Sequence, residues 1–98
     1  MNELLGVEAR NAALVELEGT GWAPVEGRDA IRKTFVFKNF VQAFGWMAQV
    51  ALWAEKLNHH PEWSNVYRTV EVVLSTHDAN GLTELDVRLA RKMDSLMP

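Results

Sequence analysis

The stretch that most limits what this chain can fold into lies between Asn39 and Pro61. Phe40 to about Leu57 is a helix-length run that is apolar nearly all round. Gln42, Gln49 and Lys56 stand seven apart and form one narrow polar stripe. That spacing predicts a helix, and a helix with so little polar surface is expected to be mostly buried. Asn39 suits its N-cap. Asn58 suits the left-handed residue at its end, and Pro61 forbids continuation. Trp46 and Trp53 flank the stripe at the same spacing, so they either extend the core or face a second subunit. The most apolar part, Phe40 to Ala54, is too short for a bilayer span and is interrupted by Gln42 and Gln49, so no membrane association is expected.

Everything else must be built around that helix within 98 residues, the size of one domain, residues 1–98, with a single core. Hydrophobic residues make up 48%, too many for a disordered chain. There is no cysteine, which excludes disulfides, thiolate nucleophiles and cysteine-based zinc sites. The net charge is −3 and the ten Lys and Arg are scattered, which argues against nucleic acid as a partner. Met1-Asn2-Glu3 carries no basic n-region and no cleavage pattern follows it, so the expected setting is cytoplasmic.

Glu8 to Glu18 places Ala9, Ala13 and Leu17 at fourfold spacing, an amphipathic helix that Gly19 would end with a left-handed residue. Trp22–Val25 and Ala30–Lys38 read as strands joined by the turn Glu26-Gly27-Arg28-Asp29, a hairpin. In the second, Ile31, Phe35 and Phe37 share a face with Lys33 as the exception, and Arg32, Thr34 and Lys38 share the other with Val36. Ser64 to Thr76 is strongly β-forming but contains no Gly, Asn-Gly or Pro, so it is either a hairpin or one long strand. Asp78-Ala79-Asn80-Gly81 is a loop. Thr83 and Asp86 then fit a capping box, and Leu82 with Val87 a hydrophobic staple, for a last helix buried through Leu85, Leu89, Met93 and Leu96. The fold class is α+β, an antiparallel sheet with helices on one face.

All three histidines stand where regular elements hand over to loops, the usual place for catalytic groups. His59 and His60 follow the long helix, and His77 follows the β segment. Imidazole titrates near neutral pH and is the default general acid or base. Glu55 stands four residues before His59, on one helical face with it.

The ordered set Glu55-Lys56-Leu57-Asn58-His59-His60-Pro61-Glu62-Trp63, Asn65-Val66-Tyr67, Leu74-Ser75-Thr76-His77 and Gly81-Leu82-Thr83 with Asp86 resembles the pterin-4a-carbinolamine dehydratases. The upstream runs Glu26-Gly27-Arg28-Asp29-Ala30-Ile31 and Ala43-Phe44-Gly45 extend the resemblance, which covers about Trp22 to Asp86. It implies an αββαββα fold with a four-stranded antiparallel sheet and three helices on one face, and so favours a hairpin over Ser64–Thr76. It also implies the loss of water from a 4a-hydroxytetrahydropterin to give the quinonoid dihydropterin, with no metal or cofactor. That reaction recycles tetrahydrobiopterin for aromatic amino-acid hydroxylases, so a functional link to such an enzyme is expected. By the same resemblance His59, His60, His77 and Asp86 are the catalytic set, with His59 and His77 exchanging protons and His60 mainly holding the pterin. Glu55, Pro61, Ser75, Thr76, Asp78 and Ala79 join the histidines in binding substrate. One departure stands out: the family often has Asp before the first His, and here that residue is Asn58.

Blander readings exist for several of these residues. Asp86 would cap the last helix with or without catalysis, Glu55 suits a solvated helix end, and the Trp and Phe residues of the long helix suit a core. Three His and an Asp could instead bind zinc, but adjacent His59 and His60 diverge and no HExxH-type spacing is present. A non-enzymatic dimerisation module is the other alternative, since animal members of the family also act as transcriptional coactivators. A homodimer or homotetramer is expected, because a small sheet covered on one face leaves an edge and a face to protect.

Overall fold

The computed structural model describes residues 3–98. Met1 and Asn2, part of the stretch read as free of a sorting signal, lie outside it. The elements run α1 (Val7–Glu18), β1 (Ala23–Pro24), β2 (Ile31–Val36), α2 (Phe40–Leu57), β3 (Glu62–Val66), β4 (Thr69–Leu74) and α3 (Glu84–Ser95), with a 3-10 turn at His77–Ala79. The strands form one antiparallel sheet in the order β1-β2-β4-β3. This is the expected α+β, αββαββα arrangement.

Alternation along β2 and β4 decides which face the helices cover. Ile31 and Phe35 point inward opposite Leu74 and Val70, while Arg32, Thr34 and Val36 stay on the open face. The inner face carries an aromatic cluster. The Trp22 and Phe35 rings meet edge-on at 5.8 Å, and Trp46 packs on Phe35 at 4.4 Å and on Phe37 at 5.2 Å. The Trp46 indole N–H donates to the Met93 carbonyl at 3.1 Å, so its burial leaves no donor unpaired.

Lys33, the polar exception on this face, is held by Asp94 of α3. Its Nζ lies 2.6 Å from Asp94 Oδ1, and the same carboxylate accepts from the Trp22 indole at 3.1 Å and the Thr20 hydroxyl at 2.8 Å. Removing the carboxylate leaves the buried Trp22 indole N–H without an acceptor and the Lys33 ammonium with no counter-charge and only the Thr20 carbonyl, so Asp94→Ala should lower stability by about 2–3 kcal/mol. A thermal melt checks this, and an unchanged midpoint would contradict the assignment.

Local chemistry explains most element ends. The Asn39 side chain accepts from the Gln42 amide at 2.9 Å and starts α2. At the other end Asn58 adopts φ 52°, and the His59 amide donates back to the Ala54 carbonyl at 2.9 Å, a Schellman ending. The β-forming segment is a hairpin, β3–β4. Tyr67 takes the left-handed conformation, φ 51°, and the Asn65 side-chain amide braces the turn by donating to the Tyr67 and Thr69 carbonyls.

Several expectations are corrected. Gly19 is right-handed, and the left-handed residue is Gly21, φ 104°, where the chain bends so that the Trp22 amide reaches the Leu17 carbonyl. Ala9 is exposed in the first turn of α1, which docks through Ala13 and Leu17. β1 is only Ala23–Pro24, with Pro24 on an edge strand where its missing N–H costs no pairing to β2, and the Val25 amide still donates to the Ala30 carbonyl at 2.9 Å as the chain enters the turn. The long helix α2 is not mostly buried. A single stripe, Ala43, Trp46, Val50 and Ala54, enters the core, because one sheet and one neighbouring helix can cover no more of it. Phe40, Val41, Phe44 and Leu52 are exposed, Val41 and Leu52 by 79% and 74%. Trp46 belongs to the core, while Trp53 is half-buried beneath the ammonium groups of Lys92 and Lys56. Among the described residues no helix is long and apolar enough to cross a membrane.

Candidate active site

The end of α2 and the end of β4 open onto a common cleft of about 470 Å³, within the range of small-molecule sites. His59, His60, Pro61, Ser75, Thr76, His77 and Asp78 line it, together with Leu57, Asn58 and Leu85. Of the remaining candidates, Asp86 lies buried behind His59, Glu55 stands at the rim beside His60, and Ala79 is not among the lining residues.

His59 owes its place to the helix ending. Once Asn58 turns left-handed, the chain doubles back and His59 is directed inward, its side chain only 8% exposed. There its Nε2 lies 2.6 Å from Asp86 Oδ1, and it is the donor when Asp86 is a carboxylate, which has only acceptors. Asp86 is fully buried, and its other oxygen accepts from the Thr76 hydroxyl at 2.8 Å and the Thr83 amide at 2.9 Å. The capping box of α3 is therefore real, and the same carboxylate also holds a histidine. Both readings of Asp86 are realised geometrically. Asn58, the departure from the family pattern, acts as a helix terminator, and the carboxylate beside His59 comes from α3.

His77 is placed by a small closed loop. Thr76 and Gly81 bond each other through both backbone groups, and Asn80 takes the left-handed conformation between them. A Cβ on Gly81 would land on the Asp29 carboxylate, which accepts from the Leu82 amide at 3.1 Å, so the close approach itself requires glycine. His77 Nε2 lies 2.9 Å from Glu62 Oε2. Glu62 is clasped in turn by Arg28, whose Nη1 and Nη2 donate to its two oxygens at 2.9 and 2.8 Å. The Arg28 hydrogen bonds, aided by that from His77, hold the Glu62 carboxyl down at about 2. A depressed carboxyl contributes fully above its unfolded value, about 4.3, and loses that contribution as pH falls toward about 2. Near neutral pH Glu62 is simply an anion and an acceptor.

His60 pairs with Glu55 at the exposed rim. Each imidazole thus has its own carboxylate, and among the described residues no three His, Asp or Glu groups converge as a metal set. The cleft offers two histidines on facing segments, one anchored inside and one at the mouth, which suits paired proton transfers on a flat ring held between them. Glu62 and Arg28 were not singled out from the sequence. Both fall within runs that carry the resemblance, but 34 positions separate them. Only the register that sets Glu62 beside Val73 and Ile31 beside Leu74 brings them together.

The family model described as Pterin 4 alpha carbinolamine dehydratase matches residues 3–96. Relatives provisionally named pterin-4-alpha-carbinolamine dehydratase include one from Roseobacter denitrificans, 67% identical over 98% of both chains. Another from Jannaschia sp. is 66% identical over 98% of both chains. Among solved structures, a crystal structure of a transcriptional coactivator/pterin dehydratase from Brucella melitensis superposes with a TM-score of 0.91 at 52% identity, covering 98% of this chain and all of that one.

Proposed function

The chain belongs to the pterin-4a-carbinolamine dehydratase family, and from that premise we propose that it dehydrates a 4a-hydroxytetrahydropterin by histidine acid–base catalysis. The observation that carries this reading is the cleft between two imidazoles, each bound through Nε2 to a carboxylate. The C4a–oxygen bond breaks as an imidazolium donates its proton to the departing hydroxyl, which leaves as water. The N5–H proton passes to a neutral imidazole as the C4a=N5 bond forms. One proton is given and one taken, so the proton count of the pair is unchanged, and passage of a proton from one imidazole to the other through solvent restores the starting state. His59 and His77 serve these two transfers, each worth roughly 10²–10⁴ in rate. His60, steadied by Glu55 at the rim, holds the ring, with Pro61, Ser75, Thr76, Asp78 and the adjoining Ala79 around it. The product is oxidised by two electrons relative to a tetrahydropterin, so a reductase must consume it. The setting is the cytoplasmic recycling of the cofactor of aromatic amino-acid hydroxylases.

Stopped-flow formation of quinonoid dihydropterin tests the reading. Purified protein should accelerate dehydration well above the buffer rate without added metal or nucleotide, and a folded protein that leaves the rate at background would refute it.

The protein is also proposed to work as a homodimer or homotetramer. The exposed apolar face of α2, with Phe40 and Phe44 rings 5.7 Å apart, and the unpaired edge of β3 are surfaces that a second copy would cover. Light scattering should give a multiple of 11.1 kDa at micromolar concentration. A mass of one chain would count against it.

A further inference from the structure

We propose that Glu62 and Arg28 are positioning residues that fix the tautomer and direction of His77, so that this histidine works through Nδ1. The proposal rests on the dehydratase reading and adds to it a role for two residues outside the lining of the main cleft.

The argument starts from the donor inventory. A guanidinium has only donors, and both carboxylate oxygens of Glu62 accept from Arg28. Glu62 therefore stays ionised and can only accept from His77. The His77 nitrogen at 2.9 Å must be the one that carries hydrogen. Neutral His77 is thus the Nε2–H tautomer, with its lone pair on Nδ1, and the transferable proton of its charged form is the one on Nδ1. His59 is tied in the same way, Nε2 to Asp86 Oδ1. Both imidazoles commit the same nitrogen to the protein and keep the other for substrate.

Exposure explains why His77 needs such a device. Its side chain is 71% exposed, and an imidazole so placed would otherwise sample several rotamers and both tautomers. A single surface ion pair contributes about 0–1 kcal/mol and would hold it poorly. A bidentate Arg–carboxylate clasp is the stronger and more directional arrangement. Here it joins three separate segments: the turn before β2, the first residue of β3 and the 3-10 turn after β4. His77 also lines a smaller concavity with Gly27, Arg28, Asp29, Ser75 and Asn80, so its ring borders open space there as well as in the main cleft.

The test combines kinetics with nitrogen NMR of the imidazoles. Glu62→Gln keeps the size of the side chain but offers one oxygen and one amide, for which Arg28 and His77 must compete. In the wild type, neutral His77 should show hydrogen on Nε2, and in Glu62→Gln that bias should be lost. Turnover should fall about 10–100-fold, as when a carboxylate partner of a functional histidine is removed, with KM within about twofold. Glu62→Asp, which keeps the charge, should recover part of the rate. In a His77→Ala background Glu62→Gln should cost less than about twofold, since a positioning residue has nothing left to position. An unchanged tautomer in Glu62→Gln, or an equal loss of turnover with and without His77, would overturn the proposal. If the wild type shows no dehydratase activity, the functional reading fails, and the NMR arm still decides the tautomer.

Discussion

Replacing both His59 and His77 by alanine is expected to reduce turnover by about 10⁴, to near the buffer rate, with each single variant losing about 10². The two groups do different work on one substrate. In a single variant the surviving imidazole performs its own transfer while water takes over the other, so part of the acceleration remains. In the double variant water must do both, and the losses combine. The loss should fall on kcat, because proton transfer is felt in the transition state and hardly in the bound ground state. His60→Ala should behave differently, raising KM more than it lowers kcat, since a residue that holds the ring contributes similarly in both states. Stopped-flow kinetics on the three single variants and the double check this, each paired with a thermal melt. Neither His59 nor His77 sits in the aromatic core, and His77 is largely exposed, so the melt of the His77 variant should barely move. A double variant that melts normally and keeps wild-type turnover would end the mechanism.

How much of this could be read from the residues depends on how local the cause is. The two ends of α2 were legible because each is decided by one residue, Asn39 as cap and Asn58 as the left-handed terminator. The same holds for the Thr83–Asp86 box, whose partners are three positions apart. The β3–β4 turn was not legible from the residues themselves. It is made by Tyr67 in a conformation that its side chain disfavours, stabilised by hydrogen bonds from Asn65 that no turn signature announces. Only the family resemblance favoured the hairpin. The burial of α2 was overestimated because periodicity counts apolar positions, and the number of neighbours available to cover them is a property of the whole fold. The histidines could be picked out because imidazole is rare and chemically specific. Their carboxylates divide sharply. Asp86 was named as a site residue by the family resemblance and as a helix cap by its own spacing from Thr83, whereas Glu62 and Arg28 stayed hidden because their meeting depends on strand register and on nothing within either segment.

Asp86 is where stability and chemistry share one carboxylate, and two substitutions should separate them. Asp86→Ala removes the acceptor from the Thr83 amide and the Thr76 hydroxyl as well as from His59. The Thr83 hydroxyl still caps the Leu85 amide, so the cost is that of the buried Thr83 amide and the buried His59 ring left without their acceptor, about 1–3 kcal/mol each. The expected total of about 2–6 kcal/mol would lower the melting midpoint of a domain this size by roughly 10–30 °C. Asp86→Asn should be far gentler on the fold. Its oxygen can still accept from Thr83 and Thr76, and the shape is unchanged, so about 1 kcal/mol is expected. Its amide must then face His59 with hydrogen where the carboxylate had a lone pair. His59 can accept that hydrogen only through an unprotonated Nε2, which moves its own hydrogen to Nδ1, the nitrogen proposed to exchange protons with substrate. The ring stays in place with the wrong tautomer, and turnover should fall at least as far as in His59→Ala, about 10² or more, at nearly constant KM. In a His59→Ala background the same substitution should cost little, since the imidazole it misdirects is gone. Near-wild-type turnover in Asp86→Asn, measured beside a normal melt, would reduce Asp86 to a helix cap.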